Sequence, residues 1–222
     1  MDKARLLSGS TLFCELDEAE LQSLAARAEL RHVAARHTIL QQGSKGHEMY
    51  ALIRGRLRVY RCTDEGREIT LSLLEAGDVF GEVAMLDGGP RSASIDTLEA
   101  CELLVLKRED VMDYLDNHPK VMRQLISALC QRLRNADEMV QDTLFLPLPQ
   151  RLGKCLKTLA EQNGNDVNGW IEIDLKFTQQ EVANLVGASR ESVNKQINTW
   201  VDQGKMLMSS GRIRIKPDAE LL

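Results

Sequence analysis

Aromatic side chains make up only 4% of the 222 residues, so aliphatic packing has to build whatever core the chain forms. The five cysteines, Cys14, Cys62, Cys101, Cys130 and Cys155, are scattered, with no C-x-x-C pair and no cluster with histidine. That spacing argues against a zinc site and against a cysteine-held iron–sulfur cluster, and no metal is expected. An odd number of thiols without a secretion signal fits a cytoplasmic protein with reduced cysteines. No apolar run is long enough to span a bilayer, so no membrane partner is expected. A basic excess is missing too: 28 Lys and Arg face 33 Asp and Glu, net −5, which argues against a protein that coats nucleic acid along its whole length. The imbalance is uneven. From Pro147 onward 10 basic residues face 9 acidic ones, whereas the remainder carries 18 against 24, leaving room for a local basic face near the C-terminus.

What is present is a chain of three textures. Asp17-Glu18-Ala19-Glu20 has the form of a capping box opening a helix with Leu21, Leu24, Ala25 and Ala28 on one face. Residues 33–106 then break into short apolar and β-branched runs, at 37–40, 49–53, 56–60, 68–73 and 103–106. Gly43, Gly46, Gly55, Gly66, Gly77 and Gly88-Gly89-Pro90 punctuate them. Leu57 and Val59, alternating with Arg56, Arg58 and Tyr60, predict a half-buried strand. Many short strands at this spacing predict a sandwich or jelly roll. A short helix is expected over 109–115 and a long one after Pro119. There Met122, Ile126, Leu129, Leu133, Ala136, Val140 and Thr143 recur at spacings of 4, 3, 4, 3, 4 and 3, a heptad seam that predicts a parallel two-stranded coiled coil and hence a homodimer.

Pro147 and Pro149 end that helix and predict a hinge and domain boundary. A helix over 151–162, a polar turn over 163–169 and a strand over 170–173 follow. Thr178-Gln179-Gln180-Glu181 is a second capping box; Gly187 supplies a turn, and Ser189 caps a helix over 190–203 with Val193, Ile197 and Trp200 inward. Two helices joined by a glycine turn predict a helix-turn-helix, and residues 206–215 a hairpin wing with Arg212, Arg214 and Lys216 on its last strand. Ser189, Arg190, Glu191, Asn194 and Lys195 lead the second helix. Arginine pairs bidentately with guanine and glutamate accepts from cytosine, while Thr178 and Ser189 sit where hydroxyl and N–H groups suit phosphates. A solvated face with an i,i+4 Glu191–Lys195 pair is the plainer alternative.

The remaining stretch, residues 80–94, packs Gly81, Glu82, Gly88, Gly89 and Arg91 into a connection between strands. Glu82 and Arg91 can pair at a surface turn. They can also divide a ligand, Arg91 taking a phosphate and Glu82 a sugar hydroxyl, with Gly81 allowing close backbone approach.

In this order of parts, and in these two motifs, the chain resembles the CRP/FNR transcription regulators, in particular their cyclic-AMP receptor branch. Gly81-Glu82-Val83-Ala84 through Pro90-Arg91-Ser92-Ala93 is similar to the family's phosphate-binding cassette, and residues 178–193 to its DNA-reading unit. The resemblance implies an α+β protein. Its parts would be an N-terminal cyclic-nucleotide-binding β-roll over 1–116, a dimerisation helix and hinge over 117–146, and a C-terminal winged helix-turn-helix over 147–222. Arg91 and Ser92 would hold the cyclic phosphate with the N–H groups of Val83 and Ala84, Glu82 would take the ribose 2′-OH, and Leu71 and Ser72 would line the pocket. Thr178, Gln179, Gln180, Ser189, Arg190, Glu191, Asn194 and Lys195 would face a near-palindromic double-stranded operator, with RNA polymerase a further partner.

Two departures stand out. Lys195 replaces the arginine common in the family, keeping charge but losing the planar fork. Where the cyclic-AMP receptor has a Thr-Ser pair against adenine, this chain has Ala136 and Asp137. An ionised carboxylate only accepts, which suits the N1–H and N2–H₂ of guanine. Cyclic GMP is therefore expected to bind at least competitively with cyclic AMP, the alternative being a solvated Asp137. A gas or oxygen sensor is the next reading. The oxygen sensor needs N-terminal cysteines where only Cys14 stands, and a haem would draw its ligand from His32, His37, His47 or His118. A nucleotide hydrolase lacks a nucleophile–base pair, and no enzyme is expected. An interaction module without DNA binding is the third.

Overall fold

The computed structural model describes residues 3–10, 12–14, 16–217 and 221, which fall into two compact units: Met1–Arg67 with Leu71–Asn135, and Glu68–Thr70 with Ala136–Leu222. The chain starts with α1 (Lys3–Ser8) and α2 (Glu18–Arg27), the second opened by the expected reciprocal Asp17–Glu20 capping box. Strands β1 (Glu29–Val33), β2 (Thr38–Leu40), β3 (Glu48–Arg54), β4 (Leu57–Cys62), β5 (Glu68–Leu74) and β6 (Val79–Phe80) lead to a short helix, α3 (Glu82–Asp87). Then come β7 (Ser94–Thr97), β8 (Cys101–Lys107), α4 (Arg108–Asn117) and α5 (Pro119–Phe145).

The strands form two sheets, in the orders β1-β8-β3-β6 and β2-β7-β4-β5. Strand β8 shows why. Leu103 and Val105 point into a core with Leu40, Leu52, Leu57, Leu74, Phe80 and Ile95, while Leu104 and Leu106 point to the other face. There they meet Leu7, Leu24, Leu115, Val121 and Leu125 from the helices. A strand covered on both faces reads as a continuous apolar run, as 103–106 does. Each fully buried leucine here contributes about 1.5–3 kcal/mol relative to exposure.

Several elements escaped the sequence reading. Strand β6 has two residues and β7 four, too few for alternation to register; α3 lies inside what reads as a connection between strands. Arg58, expected outside, is buried with its guanidinium 4.1 Å from the Tyr60 ring centroid. Residues 163–169 are not merely a polar turn, since β9 (Gly164–Val167) pairs antiparallel with β10 (Trp170–Lys176) around Asn168-Gly169, both at positive φ.

The second unit continues with α6 (Leu148–Asn163), which starts earlier than expected because Pro149 sits in its first turn, where no helical hydrogen bond is lost. After β10 come α7 (Gln179–Leu185), α8 (Arg190–Asp202), β11 (Met206–Ser209) and β12 (Arg212–Ile215), in a sheet of order β11-β12-β10-β9. Helix α6 packs on β10 and α8 on β11 and α7, burying Leu152, Leu156, Val182, Val193, Ile197, Trp200 and Ile213. Among the described residues no helix is long and apolar enough to cross a membrane.

Candidate functional site

Helix α3 is built for close approach. Gly81, at φ +78°, is its N-cap, and Gly88, at φ +72°, closes it by donating to the Ala84 carbonyl. The N–H groups of Val83 and Ala84 fall in the first turn, where no intrahelical acceptor exists. Arg108 Nε donates to the Met85 carbonyl at 2.6 Å and so holds the other end.

Arg91 reaches the same place from the far side of the connection. It is 5% exposed; its Nη1 donates to the Gly81 carbonyl at 2.7 Å, and its buried Nε has no partner among the described residues. A buried cationic donor without an acceptor is costly, and an anion would satisfy it. The guanidinium carbon stands 5.9 Å from the Tyr50 ring centroid, and Tyr50 stacks on Phe80 with centroids 4.9 Å apart. Burial, then the hydrogen bond to Glu48, pushes the Tyr50 hydroxyl up to about 12, so it remains a donor. Gly46 completes the cradle: a Cβ there would lie 2.3 Å from Arg91 Nε. Ser92 follows and is exposed.

Glu82 and Arg91 do not pair with each other. Glu82 is 2% exposed and accepts at 2.5 Å from Nη1 of Arg132 on α5, whose Nη2 also donates to the Val79 carbonyl. The sequence reading missed Arg132, although it lies one helical turn before Ala136 and so on the same side of α5. Tyr50 and Gly46 were missed as well, because their roles depend on where Arg91 folds. Leu71 and Ser72 are exposed on β5, and Ala136 and Asp137 are exposed on α5 within the second unit. The seam residues Ile126, Leu133 and Val140 are 51%, 62% and 58% exposed, whereas Val121 and Leu125 are buried in the first unit.

In the second unit, Thr178 and Glu181 form the expected capping box and Ser189 accepts from the Ser192 N–H, so both hydroxyls serve their own helices. Such caps contribute about 1 kcal/mol each. Gly187, at φ +61°, makes the turn between α7 and α8. Arg190, Glu191 and Lys195 are exposed on α8, and Asn194 is half-buried. Gln179 links them: its Nε2 donates to Asn194 Oδ1 at 2.8 Å, and its Oε1 accepts from Arg190 Nε and Nη2 at 3.4 Å each. Gln180 donates to Asn184 at 2.9 Å.

Comparison with known proteins agrees with both halves. Residues 30–118 match the family model of the cyclic nucleotide-binding domain, and residues 150–222 that of the Crp-like helix-turn-helix domain. The cyclic AMP receptor protein of Thermus thermophilus is 31% identical over 215 residues, 97% of this chain and 96% of the relative. A CRP-like cAMP-activated global transcriptional regulator of Mycobacterium tuberculosis is 29% identical over 217 residues, 98% of this chain and 96% of the relative. The solved structure of the c-di-GMP responsive regulator CLP of Xanthomonas campestris shares the fold, with a TM-score of 0.82 at 20% identity over 90% of this chain and 99% of that one.

Proposed function

The chain belongs to the CRP/FNR family of transcription regulators, which are ligand-responsive DNA-binding proteins and not enzymes, and from that premise we propose that cyclic AMP is its effector and a near-palindromic operator its target. The observation that carries the ligand is Arg91, a buried guanidinium beside the first turn of α3 with one nitrogen that has no partner among the described residues. The bound nucleotide would supply an anionic phosphate, a ribose hydroxyl and a purine face. Arg91, Ser92 and the N–H groups of Val83 and Ala84 would hold the phosphate; Glu82 would accept from the ribose hydroxyl while Arg132 orients its carboxylate. Leu71 and Ser72 would line the pocket.

The names of the Thermus and Mycobacterium relatives favour cyclic AMP. Asp137 is what favours competition by cyclic GMP, since its carboxylate suits the guanine donors. The working division is a sensor over residues 1–116, a dimerisation helix and hinge over 117–146 and a DNA-binding domain over 147–222, in a cytoplasmic homodimer that acts with RNA polymerase. Arg190, Glu191, Asn194 and Lys195 would read bases from α8, with Thr178, Gln179, Gln180 and Ser189 at the DNA backbone edge; in a dimer the two α8 helices would sit roughly 34 Å apart, one DNA turn.

Titration calorimetry with both nucleotides, followed by gel shifts at fixed salt, tests this. Wild type should bind cyclic AMP, and Arg91→Ala should lose about 2–5 kcal/mol of that affinity, at least thirtyfold, while keeping its circular dichroism. Undiminished binding by Arg91→Ala would refute the phosphate assignment, and Asp137→Ser leaving cyclic GMP affinity unchanged would refute the guanine one.

A further inference from the structure

The wing carries two arginines that one carboxylate engages. Ile173, Ile213, Ile215 and Met206 are buried on the inner face of its sheet. Alternation therefore puts Glu172, Arg212, Arg214 and Lys216 on the outer face, where Glu172 and Arg214 are cross-strand partners. One carboxylate engages both arginines: Glu172 Oε1 accepts from Arg212 Nη1 and Oε2 from Arg214 Nε, each at 2.5 Å. The Glu172 side chain is only 11% exposed, whereas those of Arg212 and Arg214 are 53% and 40% exposed. The third cation, Lys216, lies 5.6 Å from the Trp170 ring centroid and has no part in this cluster. Arg212 directly follows the wing tip, Ser210-Gly211.

A carboxylate that takes one N–H from each of two guanidiniums presents them with the acceptor geometry a phosphate would offer. We propose that Glu172 is an internal stand-in for a DNA phosphate, which holds Arg212 and Arg214 in place and withholds them from sequence-independent binding. Discrimination between sites is thereby left to α8. The inference rests on the DNA-binding role of this domain.

Fluorescence anisotropy of the full-length protein on a labelled duplex of random sequence, across a salt series, tests it. Glu172→Gln should bind that duplex about tenfold more tightly at low salt, with the slope of log K against log salt steeper by about 1–2. Arg212→Ala should change wild-type affinity by less than about threefold and remove most of the gain in the Glu172→Gln background. If Glu172→Gln alters the fold, seen as lost helical circular dichroism, Arg212→Ala alone decides: a tenfold loss in the wild-type background overturns the proposal. So does a well-folded Glu172→Gln with unchanged affinity and slope. Failure of wild type to bind any duplex would sink the DNA-binding role itself, a distinct result.

Discussion

Arg91 shows how one side chain can be defined by what surrounds it. Its length and charge suit many places on a surface, yet here it is buried, anchored to the Gly81 carbonyl and flanked by the Tyr50 ring. Two glycines make this conformation available. Gly81 takes a positive φ that β-branched or bulky residues avoid, and Gly46 leaves the space in which the guanidinium lies. Gly46→Ala would place a methyl 2.3 Å from Arg91 Nε, so the arginine must move rather than the backbone. Nucleotide affinity should fall about tenfold, or 1.4 kcal/mol, with little change in thermal stability, which calorimetry and a melting curve would read together. A loss of folding stability of the same size, about 1.4 kcal/mol, would mean that Gly46 serves the fold and not the pocket. Glu82 makes the complementary point: its carboxylate is held by Arg132, so the first residue of α3 and a residue of α5 share one hydrogen bond.

At the scale of elements, α5 carries both buried and exposed apolar side chains. Val121 and Leu125 close the core of the first unit, while Ile126, Leu133, Val140, Leu144 and Phe145 are exposed. Ile126, Leu133 and Val140, seven residues apart and left uncovered in one chain, form a row of aliphatic side chains that a second α5 would bury. Leu133→Asp should convert the proposed dimer to a monomer at micromolar concentration in sedimentation experiments, because a carboxylate in such a seam is left without a partner. A variant that still sediments as a dimer would place the interface elsewhere. Helix α8 depends on its neighbour in another way. Gln179 on α7 hydrogen-bonds both Arg190 and Asn194, so the side chains that lead α8 are oriented before any DNA arrives.

At the scale of the whole molecule, DNA binding that responds to a nucleotide requires a linked equilibrium. A nucleotide changes DNA affinity only to the extent that it binds the two arrangements of the protein unequally. Couplings of this kind are typically about 1–3 kcal/mol, or 5–150-fold, and they are reciprocal. Operator DNA should therefore tighten cyclic AMP binding by the same factor by which cyclic AMP tightens operator binding, each measured by titration at one salt concentration. Unequal factors would show that a further equilibrium, such as dimer dissociation, is coupled in. Within the first unit, α3 and α5 are linked by the Arg132–Glu82 hydrogen bond and by the core that Met85 shares with Val121 and Leu125.

What could be read without coordinates follows from local physics. Capping boxes at Asp17 and Thr178, the glycine turn at Gly187, the heptad spacing along α5 and the cassette from Gly81 to Ser92 each lie within a short window, where neighbours in sequence are neighbours in space. Those signals were enough for the order of parts and for the family. Strands of two to four residues, such as β6 and β7, carry too little alternation to register, and they exist because partner strands supply their hydrogen bonds. Arg132 against Glu82, fifty residues apart, and Arg212 and Arg214 against Glu172, some forty apart, are likewise contacts that only the tertiary structure decides. A charge chooses its partner by distance through space, and periodicity along the chain records which face a residue occupies but not what the fold brings to meet it.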